Sequence, residues 1–194
     1  MKHEENPLSF LIGTWESTGF TGENQAPDPD RRKENTKYKQ QMTFTPTDPV
    51  SNHEQDLYSL RYSTFAWEEG DEEEAFHEEV GYWIWDAQRQ MIMKCFTIPR
   101  GISVLAGGPF ERKNKEFQLS ATRGDPVFGI CSNPFLDIEF QTIRYDLKVL
   151  FTDQNTLTYE ENSQIQIRNQ EKIFHHTEKN ILKRIKASSK IAEN

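Results

Sequence analysis

Apolar and polar side chains alternate strictly through the second half of the chain, and that alternation limits what it can fold into. Across positions 143–151 every odd residue, Ile143, Tyr145, Leu147, Val149 and Phe151, is apolar, while Arg144, Asp146 and Lys148 lie between them. Successive side chains of a strand point to opposite faces, so this run has one buried and one wet face. Leu157, Tyr159, Ile165 and Ile167 share one phase against Thr158, Glu160, Asn162, Gln164 and Gln166. Asp153-Gln154-Asn155 between the two runs has the composition of a hairpin turn.

The same reading predicts strands over Lys37–Thr45, Asp56–Trp67, Glu78–Trp85, Met91–Ile98, Ile102–Leu105, Glu116–Ala121 and Lys172–Ile185, after a first strand opened by Gly13. Asp86–Gln90, Pro99-Arg100-Gly101 and Gly107-Gly108-Pro109 supply turns. About ten strands with short turns and little helical signal imply an all-β fold, an antiparallel up-and-down barrel whose closure removes exposed edges. A β-sandwich is the alternative. Pro7–Ile12 suits one short helical turn that could plug a barrel end. Thr21–Thr36 reads as a polar loop, and Gly124–Asp137 as a second long loop whose Phe128, Ile130, Phe135 and Leu136 could cover a mouth. Glu68–Glu74 reads as a solvated hairpin tip. One domain is expected over 1–186, with a disordered tail over 187–194.

Charge and composition narrow the function. A net charge of −8, from 23 basic and 31 acidic residues, repels a phosphate backbone, so no nucleic-acid partner is expected. Aromatic residues make up 12% of the chain, which suits an enclosed β core. Cys95 and Cys131 make no disulfide framework and read as reduced thiols. Neither a signal-type leader nor a run of ~18 apolar residues is present, so a cytoplasmic protein with no membrane partner is expected. Gly-rich phosphate loops, Cys-x-x-Cys pairs, His-Glu-x-x-His and nucleophile elbows are all missing from the sequence.

Three clusters remain that can carry chemistry. His175 and His176 are adjacent on the last predicted strand, so only one faces inward. His175 shares a face with Ile173, Thr177, Ile181 and Ile185; His176 shares one with Phe174, Glu178, Asn180 and Leu182. Periodicity alone slightly favours His175 as the inward residue. One neutral imidazole facing an enclosed apolar cavity is the minimum that can hold haem iron axially. In the second cluster His77, Glu79, Gly81 and Trp83 share a face; a buried Glu79 would need a partner such as Arg100 or Arg123, and acid–base work by His77 and Glu79 is one reading. The third cluster is Gly13-Thr14-Trp15-Glu16-Ser17-Thr18-Gly19, where Trp15 can seal a barrel end with its indole N–H satisfied near the rim.

Gly-x-Trp-x-x-x-Gly on the first strand, His-x-Glu-x-Gly-aromatic-Trp, and a last-strand histidine occur here in an order that resembles the nitrobindin-like haem-binding β-barrels, formerly described as fatty-acid-binding-protein-like. VGYWIWD (80–86), TIPRGISVLAGG (97–108), GDPVFGI (124–130) and HTEKNIL (176–182) resemble a bacterial branch of that family, and the similarity runs from Pro7 to Ile185. The resemblance implies a ten-stranded, calycin-like barrel holding ferric haem b, with His176 rather than His175 as the iron ligand. It also implies nitric oxide binding and isomerisation of peroxynitrite to nitrate. An inward His176 takes Glu178 and Asn180 inward with it, so the candidate cofactor-binding set is His176, Trp15, His77, Glu79, Glu178 and Asn180, with His176 on the metal. Two other readings stay open: a non-haem barrel for a lipid or partly apolar metabolite oriented by His176, Glu178 and Asn180, and a hydrolase using His77 and Glu79.

Overall fold

The computed structural model describes residues 6–111 and 113–185; the expected tail, 187–194, lies outside the described residues. Thirteen strands follow one another: β1 (Gly13–Ser17), β2 (Gly22–Pro27), β3 (Lys33–Pro46), β4 (Val50–Asn52), β5 (Gln55–Glu68), β6 (His77–Asp86), β7 (Met91–Ile98), β8 (Ile102–Pro109), β9 (Glu116–Thr122), β10 (Ile130–Ser132), β11 (Phe140–Asp153), β12 (Thr156–Ile167) and β13 (Phe174–Arg184). A 3-10 turn (Ser9–Leu11) precedes β1, and one short helix, α1 (Pro134–Glu139), precedes β11. Asn133 caps α1 by accepting a 3.0 Å bond from the Leu136 N–H, with Pro134 in the first turn.

All strand pairs are antiparallel, and the sheet closes on itself. β1 and β2 both pair with β3 on one side and β13 on the other, so they are two halves of one interrupted staple. The circuit continues β3-β5-β6-β7-β8-β9-β11-β12-β13, which gives ten barrel positions. β4 extends β5 as a short hairpin, and β10 adds to the edge of β8. The expected polar loop 21–36 is therefore mostly sheet. Its polar residues belong to strands whose outer face is wet, a pattern that looks like loop when no apolar phase accompanies it. Gly107 to Pro109 also belongs to a strand rather than a turn. A Cβ on Gly108 would lie 2.0 Å from the Gln118 carbonyl oxygen, so glycine there lets β8 press against β9.

The two barrel ends differ in chemistry. One end, formed by the β6–β7, β8–β9 and β11–β12 turns, is plugged by the 3-10 turn. Leu8 and Leu11 are fully buried there among Trp15, Trp85, Phe110 and Leu182. Arg184 seals this end, its guanidinium donating to the carbonyls of Phe10 and Ile12 and stacking 4.2 Å over the Trp15 ring. The opposite end is the mouth, bordered by the β2–β3, β5–β6, β7–β8 and β12–β13 turns. Part of it is covered by the segment containing α1, whose Leu136 is buried. Glu139 ties this cover to two turns, accepting from Arg31 at 2.6 Å and from Arg168 at 2.7 Å. Among the described residues no helix is long and apolar enough to cross a membrane.

Candidate functional site

Between plug and mouth the barrel interior is polar. On β6 the inward phase is His77, Glu79, Gly81, Trp83, with Val80 and Tyr82 exposed on the outside. On β7 it is Ile92, Lys94, Phe96. Lys94 is only 3% exposed, with its ammonium 3.2 Å from Glu79 Oε2, 3.8 Å from Glu161 Oε2 and 4.0 Å from the Phe96 ring centre. It donates to the Tyr145 hydroxyl at 2.9 Å, and Tyr145 in turn donates to Glu161 Oε2 at 2.7 Å. The Tyr62 hydroxyl donates to Glu79 Oε2, and His77 Nε2 lies 3.4 Å from Glu79 Oε1. Glu79 thus has Lys94 as its cation, in place of the Arg100 or Arg123 expected from sequence. Arg123 instead pairs with Asp137, and Arg100 lies over the Phe140 ring.

Burial and neighbours set the charges. Burial pushes the Glu79 carboxyl up, but Lys94, His77 and Tyr62 outweigh it and hold it at about 2. Burial pushes Glu161 up as well; Lys94 opposes this, the nearby Glu178 and Glu79 add to it, and the carboxyl titrates at about 7. His77 is lowered by burial, yet its bond to Glu79 and the field of Glu178 raise it to about 9. For Glu178, burial raises the carboxyl, while His176 and His77 bring it below the ordinary glutamate value. Burial holds the Tyr62, Tyr145 and Tyr159 phenols well above their ordinary range, so they act as donors.

On β13 it is His176, Glu178, Asn180 and Leu182 that face inward, and His175 that is exposed. The slight periodicity preference for His175 is overturned. The misleading signal is apolar: Ile181 sits on the outer face at 49% exposure, while Glu178 and Asn180 point in because the interior network satisfies them. His176 Nε2 is 3.0 Å from Asn24 Oδ1 and 3.3 Å from Glu178 Oε1. Since the Asn24 amide nitrogen donates to Thr36, its oxygen is the acceptor and Nε2 of His176 carries the hydrogen, so in the neutral ring Nδ1 holds the lone pair. Side-chain exposures of 29% for His176 and 25% for His77 place both at the mouth.

Of the sequence-predicted residues, His77, Glu79, His176 and Glu178 come together. Asn180 does not reach the mouth. It donates to Gln40 and accepts from Thr21, in a buried group with Tyr38 and Tyr159. Trp15 is at the plugged end, opposite Arg184 in the ladder, eight residues along β13 from His176, or ~26 Å at strand rise. It donates to the Leu11 carbonyl at 2.7 Å and is fully buried, so it seals that end and touches no ligand at the mouth. Lys94, Glu161, Tyr62, Tyr145 and Asn24 are site residues that the sequence reading missed. The available signal was a charge within an apolar phase: Lys94 between Ile92 and Phe96, and Glu161 after Leu157 and Tyr159.

The sequence model described as "THAP4-like, heme-binding beta-barrel domain" matches residues 4–184. The chain belongs to this haem-binding β-barrel family. A peroxynitrite isomerase of Clavibacter michiganensis subsp. michiganensis (strain NCPPB 382) is 37% identical over 78 residues, 40% of this chain and 33% of that protein. The match thus spans a third of the relative's length. The crystal structure of Rv2717c from M. tuberculosis superposes with a TM-score of 0.62 at 20% identity, covering 92% of this chain and 94% of the other; the two share a fold.

Room and donors decide how a haem-binding barrel of this sequence can hold its cofactor. The void among Tyr62, Trp83, Lys94, Tyr159, Glu161 and Glu178 is about 20 Å³, the size of one water and far below the ~300–1,000 Å³ of a pocket for a larger ligand. Side chains fill this part of the lumen, so a macrocycle does not fit within it, and the mouth is where the histidines stand. There the donor chemistry suits it, because an imidazole held on one nitrogen by a carboxylate is the usual support of a metal-bound histidine. A broader groove of about 910 Å³ runs across β3, β2, β13, β12, β11, β9 and β8 and is lined in part by Asn24, Glu161 and Glu178, but neither mouth histidine lines it, and Glu23 is already paired with Lys37 and Lys179 there.

Proposed function

We propose that this family member binds ferric haem b at the barrel mouth with His176 as the iron ligand, and that its chemistry is with nitrogen oxides: nitric oxide binding and isomerisation of peroxynitrite to nitrate. One observation carries the reading: His176 is the last-strand histidine that faces inward at the open end, with one nitrogen tethered by Asn24 and Glu178 and the lone pair left on the other. The name of the Clavibacter relative supports the nitrogen-oxide part.

The bound group supplies an electrophilic iron that can hold a nitrogen oxide. The chain's own residues do the rest. Glu178 and Asn24 fix the His176 tautomer and ring orientation. His77, raised to about 9, is an imidazolium at neutral pH and presents a positive hydrogen-bond donor at the same mouth. Phe76 beside it is half exposed and offers apolar surface. The filled lumen behind these residues keeps bulk water from reaching the site from below. A lipid held inside the barrel, the competing reading, lacks space in the 20 Å³ void.

A visible-absorption titration of the ligand-free protein with hemin tests the proposal. Saturation near one haem per chain in wild type and His175→Ala, lost in His176→Ala, is the expected result. Absence of any saturable Soret shift in wild type, or unchanged binding in His176→Ala, overturns it.

A further inference from the structure

Three carboxyl groups border one void inside the barrel together with a single lysine, which lies within 4 Å of two of them. Glu79 comes from β6, Glu161 from β12 and Glu178 from β13; their side chains are 8%, 15% and 17% exposed. Lys94 is the only lysine or arginine bordering the lumen void. It lies closest to Glu79, and Glu178 has His176 beside it. Glu161 is left with the most distant share of the ammonium, at 3.8 Å, and with two carboxylates as neighbours. Glu161 stands opposite Glu178 in the β12–β13 ladder, and like charges in a low-dielectric interior disfavour joint ionisation, so Glu161 is the carboxyl that takes up a proton.

A continuous route joins that proton to the mouth. Glu161 accepts from Tyr145 at 2.7 Å, Tyr145 accepts from Lys94 at 2.9 Å, Lys94 is 3.2 Å from Glu79, and Glu79 is 3.4 Å from His77, which is one-quarter exposed. We propose that Glu161 is a buried proton-storage residue connected through Tyr145, Lys94, Glu79 and His77 to the mouth, so that the protein gives or takes one proton there without opening the barrel.

For the inward transfer, Glu161 takes the Tyr145 phenol proton and Tyr145 takes one from Lys94. Lys94 is replenished by Glu79, which has taken the Nε2 proton of His77 and turned its carboxyl from His77 toward Lys94. The net change converts a His77 imidazolium and a Glu161 carboxylate into a neutral imidazole and a carboxylic acid, and every intermediate group ends as it began. No electrons move. The groups facing Glu161 are consistent with this balance: Glu79 on β6, Lys94 on β7, Tyr145 on β11 and Glu178 on β13, with Tyr62 on β5, Tyr38 on β3 and His77 further out. Burial and the two like charges raise its carboxyl to about 7, within the range where a stored proton is exchangeable.

The inference goes beyond haem binding and is tested on the ligand-free full chain. Carboxyl-carbon NMR of glutamate-labelled protein should show one glutamate titrating near neutral pH, absent in Glu161→Gln. In Tyr145→Phe the same resonance should persist and move up by about one pH unit, because the lost hydrogen bond favoured the carboxylate. After a pH jump, proton uptake followed with an indicator dye should be slower in Tyr145→Phe and His77→Gln than in wild type. Titration of every glutamate below ~5, the ordinary carboxyl range, overturns the storage site, as does a neutral-range glutamate that survives Glu161→Gln. Equal uptake rates in all three proteins overturn the route. A Glu161→Gln chain that does not fold leaves the Tyr145→Phe shift to decide, and no shift there also overturns the proposal.

Discussion

Lys94 shows how one side chain can hold a polar interior together. Its ammonium lies within 4 Å of two carboxylates and donates to a phenol, while its stem and charge rest against the Phe96, Tyr62 and Tyr145 rings. Removing one partner of a buried pair leaves the other desolvated and uncompensated, which costs ~3–5 kcal/mol, much more than the pair's own net contribution. Lys94→Met should therefore destabilise the barrel by about that amount in urea unfolding. Adding Glu79→Gln to Lys94→Met should recover part of the loss, since one stranded carboxylate is then gone. If the single variant unfolds like wild type, the ammonium is not the counter-charge described here. His176 poses the opposite case: its partners Asn24 and Glu178 hold a ring that is itself one-third open, so His176→Ala should change stability little while abolishing hemin binding.

Between elements, close backbone approach matters more than side-chain contact. A Cβ on Gly81 of β6 would meet the Cys95 carbonyl oxygen at 2.0 Å and the Phe96 Cα at 2.8 Å. These are backbone atoms of β7, which cannot swing away as a flexible side chain can. Gly81→Ala should force the β6–β7 pair apart and cost ~1–3 kcal/mol or more, the range for overpacking, and hydrogen exchange at β6 and β7 should speed up locally. At the plugged end, Arg184 joins β13 to the carbonyls of Phe10, Ile12 and Gln154, which lie on two separate turns. Its planar fork reaches several acceptors at once, and a lysine ammonium lacks that geometry. Arg184→Ala and Arg184→Lys should both lower the melting temperature; full rescue by lysine would show that charge alone is what Arg184 contributes.

Three titrations combine to shape the stability of the whole molecule. Glu79, lowered from 4.5 to about 2, contributes stability that is complete above 4.5 and is lost as pH falls toward 2. Glu161, raised from 4.5 to about 7, works in the other direction: the folded state prefers its proton, and that preference is lost as pH rises from 4.5 through 7. His77, raised from 6.5 to about 9, contributes stability that is complete below 6.5 and is lost as pH climbs through 9. Stability measured by denaturant melts at a series of pH values should therefore peak near pH 4.5, where the Glu79 contribution is complete and the Glu161 contribution is not yet lost, and decline from there to 9. Glu161→Gln should flatten the decline between 4.5 and 7, and His77→Gln the part between 6.5 and 9. A peak at alkaline pH would contradict the assigned directions.

The amino-acid sequence by itself determined the class of fold, most strand positions, a helical turn before the first strand and the shared face of His77 and Glu79. Those features follow from local rules: a two-residue period over seven to fourteen positions sorts side chains between two faces wherever the strand ends up. Which face of β13 points inward was beyond that rule, because its outer face carries Ile181 and its inner face Glu178 and Asn180, so hydropathy pointed the wrong way. Only tertiary structure decided it, by bringing β2, β6, β7 and β12 around β13 so that Asn24, Lys94 and His77 could satisfy or balance the polar groups facing in. The partners of this network are far apart in sequence, Lys94 and Tyr145 by 51 positions and Asn24 and His176 by 152, and barrel closure is the step that makes them neighbours.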